Sequence, residues 1–496
     1  MTDFRSTLPQ NLYTVSGVRE LDRIAIEERN IPGLELMEKA GGVAFDTLRA
    51  KWPQAQRIVV VCGTGNNGGD GYILARLARQ AELDVDIIQV GDVSKLKGDA
   101  KTAASLCLAI NLQIQTYEAS LIESADVVVD ALVGTGLDRK VGNEWQSVIH
   151  EINKLARSIL SLDIPSGLHA DTGEELPVAI KADATVTFIG LKQGLITAQG
   201  PSHCGELSFS DLDVPLDIYD RVSAAAQRID LHTVKSFLPQ RERNIHKGQC
   251  GHVLVVGGDY GYGGAVRMAG EAAMRVGAGL VTVATRPEHA LNIPLARPEL
   301  MTVAVNIAND LNVLLEKASV VVIGPGLGQS DWATRLLARV LQSRVPLVID
   351  ADALNLLAIE PCKSDQWILT PHPGEAARLL NCSAQDIQAD RFAAVHALQI
   401  KYGGVCVLKG SGSLIIDANQ TISVSSTGNP GMATGGMGDV LTGVIGGLLA
   451  QGIALADAAR VGVCLHGAAA DEAASLGERG MLAGDLMPVL RTMANR

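Results

Sequence analysis

The stretch STGNPGMATGGMGDVLTGVIGGLLAQG, residues 426–452, decides how this chain is read. Gly435, Gly436 and Gly438 lead into Asp439 and then into a long apolar run. A glycine-rich turn that opens a helix presents backbone N–H groups at the positive end of the helix dipole. Such a turn forms a hole for an anion and steadies charge on a phosphoryl group in transfer. Asp439 at that helix start is placed to take a proton from an attacking hydroxyl. The plainer alternative is a turn kept for close packing, with Asp439 as an ordinary N-cap. The run from Val440 approaches the length of a membrane span, but its glycines, Gln451 and the preceding Asp439 favour a buried helix.

Further loops precede this turn along the chain: GGDYGYGGA (257–265), IGPGLGQ (323–329), DADALN (350–355), TPHPGE (370–375) and LKGSGSLI (408–415). Several follow apolar runs that read as strands, among them HVLVVGG, VVVIGPG, PLVIDAD, WILTPH and GVCVLKG. Ligands of open α/β sheets gather beyond the carboxyl ends of the strands, so these loops form one site.

Working toward the N-terminus, residues 211–245 are polar and irregular, and before them a separate set of strands appears: RIVVVC, DVDIIQV, ADVVVDALV, SILSLDI and DATVTFI. The alternation with amphipathic stretches is that of a parallel sheet with crossover helices. A helical segment precedes it, expected to start at a Ser16 cap with Glu20 following. A chain of 496 residues exceeds what one core supports. We therefore expect two α/β domains, 1–220 and 221–496. They share a style but no alignable repeat.

The first domain carries its own loops. GTGNNGGDGYILARLARQ follows RIVVVC, yet the next strand, VDIIQV, ends without the acidic residue that would grip an NAD ribose, which counts against a dehydrogenase. VDALVGTGLDRKVG holds Asp130 and SLDIPSGLHADTG holds Asp163 and Ser166. Oxygens of Asn67, Asp130 and Ser166 suit a hard monovalent cation, while GTGLDRK offers backbone N–H groups, Arg139 and Lys140 to a phosphate. As plain structure, Asp130 and Asp163 would only cap the elements that follow them.

Bulk properties narrow the partners. A net charge of −12 argues against nucleic acid or an anionic membrane as the main partner. The eight cysteines are scattered without a Cys-x-x-Cys pair, which suggests neither zinc nor disulfides but reduced thiols in the cytoplasm. The N-terminus lacks a secretory pattern.

The order of GGA, PGLG, DADALN, PHPGE, KGSGS and GMGD over nearly all of 230–496 resembles the ribokinase-like superfamily, specifically the ADP-dependent NAD(P)H-hydrate dehydratases. The resemblance implies that Ala265, Gly326, Gly328 and His372 contact the hydrated nicotinamide nucleotide. It places Lys409, Gly410, Ser411, Gly412 and Ser413 around ADP, Gly438 at its phosphates, and Asp439 at the substrate hydroxyl as catalytic base. Magnesium is expected with the nucleotide. Sugar kinases of this superfamily often carry Asn-x-x-Glu near the metal, whereas this chain has His372-Pro-Gly-Glu375. Glu375 is thus either a metal-side residue or a first-turn glutamate favoured by the helix dipole.

NNGGDG, DALVGTGL and DIPSG, in that order over about 10–215, resemble the NAD(P)H-hydrate epimerase domain, a Rossmann-like three-layer sandwich. By that resemblance Asn66, Asn67, Gly68, Gly69 and Asp70 contact substrate together with Gly134, Thr135, Gly136, Leu137, Asp138, Arg139 and Lys140. Asn67, Asp130 and Ser166 bind potassium, and Asp163 serves as catalytic acid/base at C6. The two resemblances imply a bifunctional repair enzyme that epimerises the R and S hydrates of NADH and NADPH (NADHX and NADPHX). It dehydrates the S form at the expense of ADP and works as a homo-oligomer, a homotetramer among the options. The rival readings are a kinase whose product keeps its phosphate, and an N-terminal half that serves as a binding or scaffold module.

Overall fold

The computed structural model describes residues 8–136 and 142–495, which divide between Gln227 and Arg228 into two compact units. That division falls seven residues beyond the expected boundary of 220/221. Ala226 and Gln227 pair antiparallel with Leu12 and Asn11, which keeps them in the N-terminal unit.

The N-terminal unit is built on a seven-stranded parallel sheet. Its order is Ile114–Gln115, Asp84–Gln89, Arg57–Cys62, Val127–Ala131, Ile159–Leu162, Ala184–Phe188 and Glu206–Ser210. The pleat sends alternate side chains to opposite faces. Ile58, Val60 and Cys62 enter a core with helices Gly33–Lys51, Asn66–Gln80 and Gly98–Ala109, while Val59 and Val61 enter a second core with Ala119–Ser124 and Asn143–Leu155. Burial on both faces is why these strands read as unbroken apolar runs.

The segment expected to begin at a Ser16 cap begins earlier and is interrupted. Its first helix is Val15–Arg23, capped by Thr14, whose hydroxyl accepts from Gly17 N at 3.3 Å. A wider turn, Ile24–Glu28, and Pro32 separate it from Gly33–Lys51. Proline has no N–H to donate and fits only at a helix start.

The C-terminal unit has a nine-stranded sheet. Met301–Ala304, Leu280–Thr285, His252–Val256, Val320–Ile323, Leu347–Ile349, Trp367–Leu369 and Val405–Leu408 run parallel, followed by antiparallel Leu414–Ile416 and Ile422–Ser425. Helices Gly263–Arg275, Met437–Ala450 and Leu455–Ala473 cover one face. A Cβ on Gly443 would collide with the Ala269 carbonyl, and one on Gly447 would lie 2.6 Å from that of Ala273. The glycines of the run after Val440 thus let two helix backbones touch. The run ends at Gln451, and no described helix is long and apolar enough to cross a membrane.

Candidate functional site

Each unit gathers its motif loops at the carboxyl ends of its strands. In the C-terminal unit the hub is Asp350, which follows Leu347–Ile349 and is 1% exposed. Its Oδ1 accepts from Lys409 Nζ at 2.7 Å and Thr370 Oγ1 at 2.9 Å, and its Oδ2 accepts from Thr442 Oγ1 at 2.7 Å. A buried carboxylate persists only when paired and hydrogen-bonded, and Asp350 is both. Thr442 lies on helix Met437–Ala450, so the same carboxylate ties Lys409 to the helix that the glycine turn opens. A Cβ on Gly438 would sit 3.4 Å from Lys409 Nζ, which places this glycine directly over the ammonium.

Gly436, with φ +91°, is the N-cap of that helix, so Asp439 stands inside the first turn and is not the cap that the plainer reading made it. Burial pushes its carboxyl up to about 7; Asp350 adds to the rise, Lys409 opposes it, and Asp352 and Glu375 contribute further. A carboxyl tuned to that range can act as a base near neutrality. Beside it lie the free N–H groups of the helix start, an anion hole next to a proton acceptor.

His372 caps helix Pro373–Leu380, its Nδ1 accepting from Gly374 N at 3.0 Å and Glu375 N at 3.4 Å. Burial and Lys409 hold this imidazole below its ordinary pKa. With Nδ1 accepting, the ring proton is assigned to Nε2, which lies 3.3 Å from Glu375 Oε1. Glu375 returns a bond to His372 N at 2.8 Å, closing a capping box, and lies 3.7 Å from Lys409. It is therefore a first-turn glutamate that also faces the site. Behind the KGSGS loop, Arg391 is 0% exposed and donates to the carbonyls of Leu408 at 3.2 Å and of Lys409 and Gly412 at 3.4 Å. It braces the loop from within.

In the N-terminal unit Asp163 follows Ile159–Leu162 in the left-handed region, φ +66°. Its Oδ1 accepts from Lys192 Nζ, from Thr187 Oγ1 at 3.3 Å and from Phe188 N at 3.4 Å. Lys192 is 1% exposed and also donates to Thr187 Oγ1 and the Phe188 carbonyl, each at 3.0 Å. A Cβ on Gly134 would lie 3.2 Å from Asn67 Cβ and 3.5 Å from Asp163 Oδ2. The NNGGD, VGTG and DIPSG loops thus meet around the free oxygen of Asp163. Burial raises the Asp70 carboxyl well above its usual range, Asp163 and Asp22 adding to the effect. Asp22 is pushed up to about 6 by burial, Lys192 pulling it back and Asp163 raising it.

Asp130 lies within strand Val127–Ala131 and caps nothing. Ser161 Oγ at 2.8 Å and Ser166 N at 2.9 Å donate to its Oδ2; Ser166 Oγ at 2.6 Å and Leu132 N at 3.3 Å donate to its Oδ1. Asn67 is buried, and neither atom of its amide has a hydrogen-bond partner. Buried amides are nearly always satisfied, so this one points to a ligand. Gly68 and Gly69 are enclosed; their Cβ atoms would strike the Gly63 carbonyl and lie 2.5 Å from Met37 Cε, so helix packing alone requires both. Asn66 is exposed at the loop tip, and Thr135 and Gly136 lie beyond Gly134. Leu137, Asp138, Arg139 and Lys140 fall outside the described residues.

Ala265 lies in the first turn of helix Gly263–Arg275 beside Gly326, and Gly328 N donates to Asp352 Oδ2 at 2.9 Å. Ser413 Oγ bridges Gly410 N at 3.3 Å and the Gly410 carbonyl at 3.1 Å, holding the loop that includes Ser411 and Gly412 in a tight turn. Sequence reasoning missed Lys192, Asp22, Thr442 and Arg391. Lys192 had one signal, a lysine inside the buried run GLKQGLI.

Residues 253–491 match the family described as NAD(P)H-hydrate dehydratase, and residues 33–194 match the YjeF-related protein N-terminus. The chain is 53% identical to the bifunctional NAD(P)H-hydrate repair enzyme of Coxiella burnetii over 98% of this chain and 99% of that one. With the enzyme of the same description from Escherichia coli the identity is 42% over 99% and 95%. A ribokinase-like superfamily protein from Enterococcus faecalis shares the fold with TM-score 0.50 and 30% identity, covering 54% of this chain and 95% of that one. The loop order and the two full-length likenesses agree: the chain belongs to the family of bifunctional NAD(P)H-hydrate repair enzymes.

Proposed function

We propose that the C-terminal unit phosphorylates the C6 hydroxyl of the S hydrate from ADP and then expels phosphate, and that the N-terminal unit interconverts the R and S hydrates at Asp163. The observation that carries the first half is Asp439, pushed up to about 7 beside the N–H groups of its own helix start. The hydroxyl oxygen attacks the β-phosphorus of ADP, its proton passes to Asp439, and the bond to the bridging oxygen breaks with AMP taking the electron pair. Hydroxide is a poor leaving group. Phosphate then leaves C6 with the C–O electrons while the adjacent ring carbon loses a proton, which restores the dihydropyridine. The developing charge in the first step is met by N–H groups of the glycine turn and by Lys409.

Asp350, Asp352, Glu375 and Asp439 outnumber Lys409, a surplus of negative charge that fits a divalent ion brought by the diphosphate. Among the described residues no three His, Cys, Asp or Glu side chains form a cage of their own. Magnesium would rest mainly on phosphate oxygens, as it commonly does, and supply charge neutralisation there. The unpartnered Asn67 amide, with Asp130 and Ser166, fits potassium, which would supply a fixed positive charge near the substrate. Inversion at C6 needs one group that exchanges a proton with the C6 oxygen, first giving it if water is lost and re-added or first taking it if the ring opens, and the free Oδ2 of Asp163 supports that assignment.

The test incubates the full chain with S hydrate and ADP. Dihydronicotinamide absorbance should recover while one phosphate and one AMP appear per turnover. A phosphorylated product that accumulates would make this unit a kinase instead.

A further inference from the structure

The chain has seven tyrosines. Tyr13, Tyr72 and Tyr402 are buried, and Tyr117 and Tyr219 are partly so. Tyr260 and Tyr262 differ: they stand 60% and 61% exposed on the loop after strand His252–Val256. A single exposed ring needs no explanation. Tyr262 lies against the site, and Tyr260 shares its loop. Gly258 N donates to the Pro325 carbonyl at 3.1 Å and Asp259 N to the Gly326 carbonyl at 2.7 Å, which binds their loop to the PGLG loop. A Cβ on Gly326 would lie 2.7 Å from Tyr262 Cβ and 3.2 Å from Ala265 Cβ, so Tyr262 adjoins both.

Tyr262 is placed at a local cost, and Tyr260 is held in place. Tyr262 is the N-cap of helix Gly263–Arg275 and its side chain caps nothing. Ser, Thr, Asp or Asn there would satisfy a helix N–H, and a broken local rule of this kind tends to mark function. Tyr260 lies 4.6 Å from the Arg286 guanidinium, which is 4.0 Å from the Trp332 ring and donates from Nε to Asp259 Oδ1 at 2.7 Å. That stack fixes the loop before any ligand arrives.

We infer that Tyr262, steadied by the Tyr260 stack, forms an aromatic wall against which the planar enamide of the hydrated nicotinamide ring stacks. The inference rests on the dehydratase reading of this unit. It makes Tyr262 a specificity-determining residue: a wall of this kind favours a ring that carries a planar conjugated enamide over the sugar acceptor of a related kinase.

The test compares Tyr262→Ala and Tyr262→Phe in the full chain. Two readouts are used, KM for the S hydrate at saturating ADP and the affinity for NADH followed by its own fluorescence. Loss of one stacked ring should raise KM and the NADH Kd roughly 5- to 150-fold in the Ala variant, with kcat little changed. The Phe variant keeps the ring and should restore most of the affinity, and ADP affinity and Tm should match wild type in both. An Ala variant with wild-type KM and NADH affinity, or a Phe variant as damaged as Ala, would overturn the wall. A hydrated mononucleotide lacking the adenine half should suffer the same loss, and a loss confined to the dinucleotide would overturn the nicotinamide assignment. A wild-type chain that binds NADH but converts no hydrate would instead count against the dehydratase reading, while the Ala–Phe contrast in NADH binding still judges the wall.

Discussion

Replacing Asp439 by Asn removes one proton acceptor and changes almost no volume. The geometry makes the result readable, because Gly436 is the helix cap and the substitution disturbs no capping bond. General-base catalysis contributes typically 10² to 10⁴-fold, so turnover should fall by that factor, about 3–5 kcal/mol of transition-state stabilisation. ADP affinity should survive, since the nucleotide contacts we propose are the KGSGS loop and backbone N–H groups. Stability should move the other way. The unfolded carboxyl ionises near 3.8 and the folded one near 7, so the native state binds more protons between those values and loses stability as pH rises through them. The shift of about 3 units bounds the relief at ~4 kcal/mol. Solvent screening at a partly exposed group and the lost helix-dipole interaction reduce it to roughly 1–3 kcal/mol. The Asn variant should therefore melt higher than wild type at pH 8 and alike near pH 4. Wild-type kcat should decline as pH falls below about 7, where Asp439 takes up its proton. Steady-state turnover, ADP titration and melting curves at both pH values decide it. A folded, ADP-binding Asn variant with near-normal turnover would refute the reasoning.

Asp163→Asn should abolish epimerisation while leaving S-hydrate dehydration near wild type, measured on separated epimers; equal loss of both would indicate general damage. Lys192→Met leaves the Asp163 carboxylate without its ammonium, and loss of one partner of a buried pair costs roughly 3–5 kcal/mol. Epimerisation should fail and the N-terminal unit should melt lower, with dehydration retained at moderate temperature. Potassium titration should raise epimerase activity or the melting temperature, and Asn67→Ala should blunt that response. Arg391→Met strips the donors from the carbonyls of Leu408, Lys409 and Gly412, so KM for ADP should rise on the order of 10-fold and stability fall by roughly 1–3 kcal/mol per buried group left unsatisfied.

Much of this arrangement was legible because parallel strands buried on both faces need runs such as RIVVVC and HVLVVGG, and the loops after them carry glycines at fixed places. Edge strands escaped notice for the opposite reason. Ile114–Gln115 is only two residues long and Glu206–Ser210 has no fully buried residue, so no apolar run announces them. The early helix start and the break before Gly33 are local: Thr14 caps in place of Ser16, and Pro32 interrupts the apolar spacing that the sequence reading followed across it. The sites show the same division. The sequence singles out residues inside motif loops, such as Asp163, Asp439 and Asn67, and is silent on those that the fold brings beside them from elsewhere. Lys192 arrives from the two-residue strand Leu191–Lys192, Asp22 from the first helix, and Arg391 from a helix whose guanidinium points inward at a loop 18 residues on. Glu375 carried two readings that a sequence cannot separate, because one side chain both closes the His372 capping box and faces Lys409.

The most direct test supplies the full chain with ADP and an equal mixture of R and S hydrates of NADH, and follows absorbance together with released phosphate. Two working sites in one chain predict that the whole mixture returns to NADH with one phosphate per molecule, and that the Asp163→Asn variant stops rapidly at half. Recovery that halts at half with the wild-type chain, or ADP consumption with no return of NADH, would contradict the account.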